Sequence, residues 1–187
     1  LAGYTGTGRS FLHHFPWDED LQQRMDRLIA AGHCRPMIVV MPDGFTRYGG
    51  SQYIDSAATG RYQQYLLEVV SWVDARFRTR PQRDFRAIAG KSSGGFGALR
   101  AAMDHPHVFG LVADHSGDKG FEHVYGQDLR GLPDLLARID AAAVLADPFG
   151  YRPKDQRFRD LMSAAAMAAA YSPNRRTPLG FDWPVDT

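Results

Sequence analysis

Cysteine is nearly absent from this chain. Cys34 stands alone, which excludes an internal disulfide and accords with a reducing compartment such as the cytoplasm without requiring one. Long apolar runs are also missing. The longest stretch of small apolar residues, Met162 to Ala170 with Ser163 ahead of its alanines, is far shorter than the roughly 20 residues a membrane-spanning helix needs. Neither sign of charge dominates: 22 Lys and Arg against 21 Asp and Glu leave a formal net charge of +1. The basic residues are scattered rather than gathered into a stripe that could track phosphates, so nucleic acid is not an expected partner. No internal repeat or low-complexity tract is present. The chain opens at Leu1 without a methionine or a charged leader, and no element is expected to anchor Pro184-Val185-Asp186-Thr187. Both ends are therefore expected to be cut, leaving residues 1–187 as one incomplete domain.

What is present suits a globular core, with 44% hydrophobic and 23% charged residues. Between Asp18 and Ala31, the residues Leu21, Met25, Leu28 and Ile29 share one helical face, and Gly32 follows as a stop. Met37-Ile38-Val39-Val40-Met41, closed by Pro42-Asp43-Gly44, reads as a strand covered on both faces in a parallel sheet. A Gly-, Ser- and Tyr-rich loop occupies 45–60. Tyr62 to Phe77 carries a second helical face and is halted before Pro81. Phe85 to Ala89 reads as a strand, Gly94 to His105 as a helix stopped by Pro106, and Val108 to Ala113 as another strand. This alternation predicts an α/β fold, a mostly parallel sheet with helices on both faces and ligands at the carboxyl ends of its strands. Beyond Asp118 the pattern becomes helical, with helices expected at Leu132 to Leu145 and Arg157 to Ala170. Residues 118–176 are expected to form a helical cap inserted over the sheet edge.

Gly90-Lys91-Ser92-Ser93-Gly94 matches G-x-S-x-G and lies between an expected strand and an expected helix, the context that turns a common pattern into a chemical one. A serine on so sharp a turn sits in a strained backbone, and glycine two residues to either side removes the clashes. Its place at a helix start aims unpaired backbone N–H groups at the reaction centre, so Ser93 N–H is a candidate donor to a developing oxyanion. The segment Leu1-Ala2-Gly3-Tyr4-Thr5-Gly6-Thr7-Gly8 reads as a strand end leading into a glycine-rich loop, and Tyr4 N–H is the candidate second donor. Asp43, Tyr53 and Asp118, on loops at the carboxyl edge, are candidate pocket residues, although loop aspartates usually make turns.

Competing motifs are weaker. Gly90-Lys91-Ser92 also fits the end of a phosphate-binding loop, but that pattern needs glycine at position 85, where Phe85 stands. Gly6-Thr7-Gly8 lacks the third glycine of a dinucleotide fingerprint. His33-Cys34 precedes a strand, at the wrong end of the sheet for a thiol nucleophile. A serine hydrolase needs an acid and then a histidine on later strand-end loops. None of His13, His14, His105, His107, His115 and His123 follows such a strand, so the acid and histidine are not identified in the chain.

Ala89-Gly90-Lys91-Ser92-Ser93-Gly94-Gly95-Phe96-Gly97-Ala98-Leu99, with Leu1-Ala2-Gly3-Tyr4 upstream, resembles the putative esterase family of α/β-hydrolases. That group includes esterase D (S-formylglutathione hydrolase), enterochelin esterase, feruloyl esterases and the antigen 85 mycolyltransferases. The resemblance spans about Leu1 to Gly117. It implies an α/β-hydrolase fold and a serine carboxylesterase that cleaves a small-molecule ester or thioester through an acyl-enzyme on Ser92, with Tyr4 and Ser93 as oxyanion donors and with no metal or organic cofactor. Lys91 and Ser93 stand where esterase D relatives carry histidine and methionine, which points to a general carboxylesterase. Two alternatives stay open at this level: an acyltransferase of the mycolyltransferase type, and a non-catalytic hydrolase-like binding module.

Overall fold

The computed structural model describes residues 1–14 and 16–185. Phe15, Asp186 and Thr187 lie outside the described residues, and with the last two goes part of the tail expected to lack an anchor.

Local signals build the first half. Helix α1 (Leu21–Ala30) begins at Asp20, whose carboxylate accepts the Gln23 N–H at 2.9 Å while the Gln23 side chain accepts the Asp20 N–H at 3.1 Å, a reciprocal cap. Gly32, at φ 72°, then carries the chain out of the helix. A short antiparallel hairpin, β1 (Asp55–Ser56) with β2 (Gly60–Arg61), leads directly into α2 (Tyr62–Arg76). There the Asp55 carboxylate accepts the N–H groups of Gln63 and Gln64 at 2.9 and 3.1 Å.

A turn of 3-10 helix at Arg83–Phe85 precedes β3 (Ala87–Lys91), which passes through Ser92 into α3 (Ser93–Asp104). β4 (Leu111–His115) pairs with β3 in parallel, from Ala87 opposite Leu111 to Lys91 opposite His115. α3 packs against both strands. Arg86, at the entrance to β3, donates to Asp74 of α2 at 2.6 Å and to the Val108 carbonyl at 2.9 Å, fixing the strand against its flanking helix. Ile88, Ala98, Ala101, Phe109, Leu66 and Tyr53 form a core between these elements.

The second half is helical: α4 (Phe121–Val124), α5 (Gly126–Leu136), α6 (Ala141–Ala146) and α7 (Gln156–Tyr171). α7 is buried along Leu161 to Ala170 except at Ser163. It packs with Val144, Leu145, Tyr48 and Phe181 into a second core. Among the described residues no helix is long and apolar enough to cross a membrane.

Three expectations need correction. Met37 to Met41 forms no strand: the run pairs with nothing among the described residues, and Ile38, Val39 and Val40 stay exposed rather than covered on both faces. Leu132 to Leu145 is not one helix, because the chain breaks at 137–140 and Asp140 starts α6 by accepting the Ala143 N–H at 3.0 Å. Each strand expected around the serine turn starts two or three residues later than anticipated, since Phe85 closes a 3-10 turn and Gly110 N–H is taken by the Arg83 and Arg86 carbonyls.

Candidate active site

Ser92 occupies the turn between β3 and α3 at φ 55° and ψ −128°, a conformation that costs a non-glycine residue about 1–3 kcal/mol and persists only where its surroundings enforce it. The enforcement is visible. Ser92 N–H donates to the His115 carbonyl at 3.0 Å, and the Ser92 carbonyl accepts the Phe96 N–H at 3.0 Å. A methyl group on Gly90 would overlap the Gly94 carbonyl, and one on Gly94 would overlap the carbonyls of Leu1 and Ala2. Glycine is therefore required for closeness at both positions.

The amino-terminal segment lies alongside. Leu1 donates its amino group to the Ala89 carbonyl and accepts the Lys91 N–H at 3.3 Å, so it joins β3 by main-chain bonds. A Cβ on Gly3 would stand 3.3 Å from Ser92 Cβ, which puts the Gly3-Tyr4 peptide beside the serine. The loop is pinned from behind. Gly6 N–H bonds back to the Gly3 carbonyl at 2.9 Å, Thr5 N–H reaches the Gly49 carbonyl at 3.0 Å, and Tyr4 Oη donates to the Tyr48 carbonyl at 2.9 Å. Tyr4 N–H and Ser93 N–H make no hydrogen bond to a described residue.

Asp118 comes to Ser92. Ser92 Oγ donates to Asp118 Oδ1 at 3.3 Å, while Asp118 Oδ2 accepts from Tyr125 Oη at 3.0 Å and from Gln52 Nε2 at 3.4 Å. Gln52 Nε2 also reaches Tyr125 Oη at 3.2 Å. Burial, and then the Asp118 charge, push the Tyr125 phenol well above the ordinary tyrosine range, so it stays a proton donor. Asp114, at the end of β4, shapes the approach: its carboxylate pairs with Lys119 and accepts the Gly117 N–H at 2.7 Å. The Lys119 contact, helped by the Gly117 N–H, holds Asp114 below the usual carboxylate range against the effect of burial.

Tyr53 and Asp43 stand differently. Tyr53 is buried, at φ 54°, and its hydroxyl accepts the Ala2 N–H at 3.1 Å. Burial pushes its phenol up to about 12. Through its bond to Ala2, Tyr53 underpins the Leu1–Tyr4 segment. Asp43 is exposed and caps its own turn by accepting the Phe45 N–H at 2.9 Å. Among the described residues, no three His, Cys, Asp or Glu side chains gather as a metal-ligand group. Gln52 and Tyr125 escape the sequence reading because they lie 66 and 7 residues from Asp118 on elements with no motif of their own. Two successive non-glycine residues at positive φ, Gln52 and Tyr53, are the structural sign that this loop is held for a purpose.

Comparison with known proteins gives a consistent picture. A family model described as Putative esterase matches residues 7–177. Esterase Rv1288 of Mycobacterium tuberculosis (strain H37Rv) is 35% identical over 94 residues, which cover 49% of this chain and 21% of that protein. An endo-1,4-beta-xylanase/feruloyl esterase of Xylanibacter ruminicola is 33% identical over 94 residues, 50% of this chain and 13% of its own length. The match thus spans about a fifth or less of these relatives. Among solved structures, a ferulic acid esterase superposes with a TM-score of 0.52 at 27% identity, covering 63% of this chain and 43% of that one. The short parallel sheet with its flanking helices accordingly has an α/β-hydrolase-like arrangement.

Proposed function

The chain belongs to the putative esterase family, and from that premise we propose that Ser92 is the nucleophile of a serine esterase acting on a small-molecule carboxylic ester or thioester. The observation that carries this reading is the backbone of Ser92, held at φ 55° between a strand and a helix with the Gly3-Tyr4 peptide at its side.

In this mechanism Ser92 Oγ forms a bond to the substrate carbonyl carbon and gives up its proton to a base. The carbonyl oxygen becomes an oxyanion between the Ser93 and Tyr4 N–H groups, and the alcohol or thiol then leaves with a proton, so that an acyl-enzyme forms. Water releases the acid by the same path in reverse. Each backbone donor is worth about 3–4 kcal/mol of transition-state stabilisation. The hydroxyl's partner in this chain is Asp118 and not an imidazole, so the 187 residues alone are expected to turn over weakly. Their rate would rest on oxyanion donors and binding, at most about 10³–10⁴ over water. Residues 118–176 are read as a cap, supported by Tyr125, at the α4–α5 junction, accepting from Gln52 Nε2 of the preceding half at 3.2 Å.

The test is a fluorophosphonate probe mapped by mass spectrometry, with Ser92→Ala as control. An adduct on Ser92 that vanishes in the variant is expected. No adduct, or one elsewhere, overturns the assignment.

A further inference from the structure

Asp118, Gln52 and Tyr125 converge on Ser92 from three separate segments, and their hydrogen bonding is incomplete. Three donors already use Asp118: Ser92 Oγ, Tyr125 Oη and Gln52 Nε2. A carboxylate has about four acceptor positions, so one is left. Gln52 is only 8% exposed, and its Oε1 is buried without a partner among the described residues. The orientation of that amide is fixed by chemistry: a carboxylate only accepts, so the end facing Asp118 must be the NH₂, and the oxygen must be the end left over. A buried acceptor without a donor is costly to keep. Here it is kept on a backbone at φ 56°, beside the nucleophile.

Resting on the assignment of Ser92 above, we infer that Asp118 and Gln52, braced by Tyr125, form a subsite for a hydroxyl group carried by the substrate close to its ester bond. Geometry sets how close. Ser92 Oγ is 3.3 Å from Asp118 Oδ1, and a reactive carbonyl carbon approaches Oγ to about 3–3.5 Å. The carbonyl carbon then lies within about 7 Å of the carboxylate. A hydroxyl oxygen three or four bonds away from that carbon fills the remaining space at about 2.7–3.0 Å from Oδ1. The substrate class is therefore an ester with a nearby hydroxyl, either on the acyl side, as in a 3-hydroxy acid, or on the alcohol side, as in a vicinal diol.

The surroundings favour a neutral donor. The Asp118 charge is already spread over three uncharged partners, and the spare Gln52 oxygen is neutral. An anionic substituent would meet the carboxylate. Phe121, against Tyr125 and Tyr171 at ring distances of 5.4 and 4.8 Å, backs the tyrosine that braces Asp118 with apolar surface, and beside such surface a hydrogen bond counts for more than it does in water.

The inference is tested on Ser92→Ala protein, where the ester persists, by NMR titration of two matched pairs. Ethyl 3-hydroxybutyrate against ethyl 3-methylbutyrate reads the acyl side, and 2-hydroxyethyl butyrate against propyl butyrate reads the alcohol side. In one pair the hydroxylated member is expected to bind about tenfold or more tightly. That preference should fall below about twofold when Asp118→Asn or, separately, Gln52→Leu is added. Equal binding within each pair, no binding of any ester, or a preference that survives both added substitutions overturns the subsite. Fluorophosphonate labelling of the unmodified protein is measured alongside. Labelling at Ser92 without any hydroxyl preference removes the subsite and leaves the nucleophile, while a preference without labelling does the reverse.

Discussion

Along α7, Leu161, Ala165 and Ala169 are fully buried, whereas in β4 Leu111 keeps 62% and Val112 45% of its surface exposed. The two halves of the molecule spend similar apolar residues in opposite ways. Around α7, helices α5 and α6, Tyr48 and Phe181 close a core on every side. Around β3 and β4, one helix covers the strands closely, and the Met37–Val40 run and the outward residues of β4 stay open. The serine turn belongs to the open half. The site's geometry is therefore not held by bulk burial. It is held by close backbone approach at Gly90 and Gly94, by main-chain bonds from Leu1 and His115, and by polar contacts from Asp118.

Substitutions in each half test this contrast. The largest loss of stability is expected for Leu161→Ala in the closed half, about 2–5 kcal/mol by denaturant unfolding, because a well-packed helix cannot collapse into the cavity. Gly97→Ala comes next. Its new Cβ would stand 2.6 Å from Tyr53 Cβ and 3.0 Å from the Gln52 carbonyl, an overpacking cost of about 1–3 kcal/mol. This change should also slow fluorophosphonate labelling of Ser92, since Tyr53 carries the Ala2 N–H. If labelling stays at the wild-type rate, the open half does not transmit strain to the site.

A smaller effect follows from Asp114. Its carboxyl is held below the usual range in the folded state by Lys119 and the Gly117 N–H. The folded protein therefore binds this proton less readily than the unfolded chain, and the resulting stability is present above about pH 4 and is lost as pH falls through and below it. Thermal melts in that acid range should show a shallower decline for Asp114→Asn than for the wild type, with little difference near pH 7 beyond a constant offset. The smallest effect is expected for Leu111→Ser on exposed β4, within about 0.5 kcal/mol by the same unfolding assay. A loss of several kcal/mol there would show that this face is covered in solution.

The sequence was legible where its rules are local. α1, α2, α3 and α7 fall within about three residues of their expected bounds because apolar periodicity and caps such as Asp20 and Asp155 act within a turn or two. The Ser92 turn was legible for another reason: close approach demands glycine at 90 and 94, and that demand is written in the chain. Met37–Met41 was not, because an apolar run becomes a strand only when a neighbour offers its N–H and C=O groups. The break at 137–140 was missed because the apolar pattern continues through it while Asp140 caps a new helix. Gln52 and Tyr125 follow no local rule. Their meeting at Asp118 depends on how a loop and a short helix are brought together across 73 residues.

The Tyr53 ring fills the space that a side chain at Gly44 would need, its Cβ abuts Gly97 in α3, and its hydroxyl takes the Ala2 N–H. One residue thus couples the chain's first loop, the 42–53 loop and the helix that follows Ser92. On heating, these three segments should let go together, so that loss of reactivity at Ser92 traces a single sigmoid with the melting of α3 rather than an early, separate fading of the site.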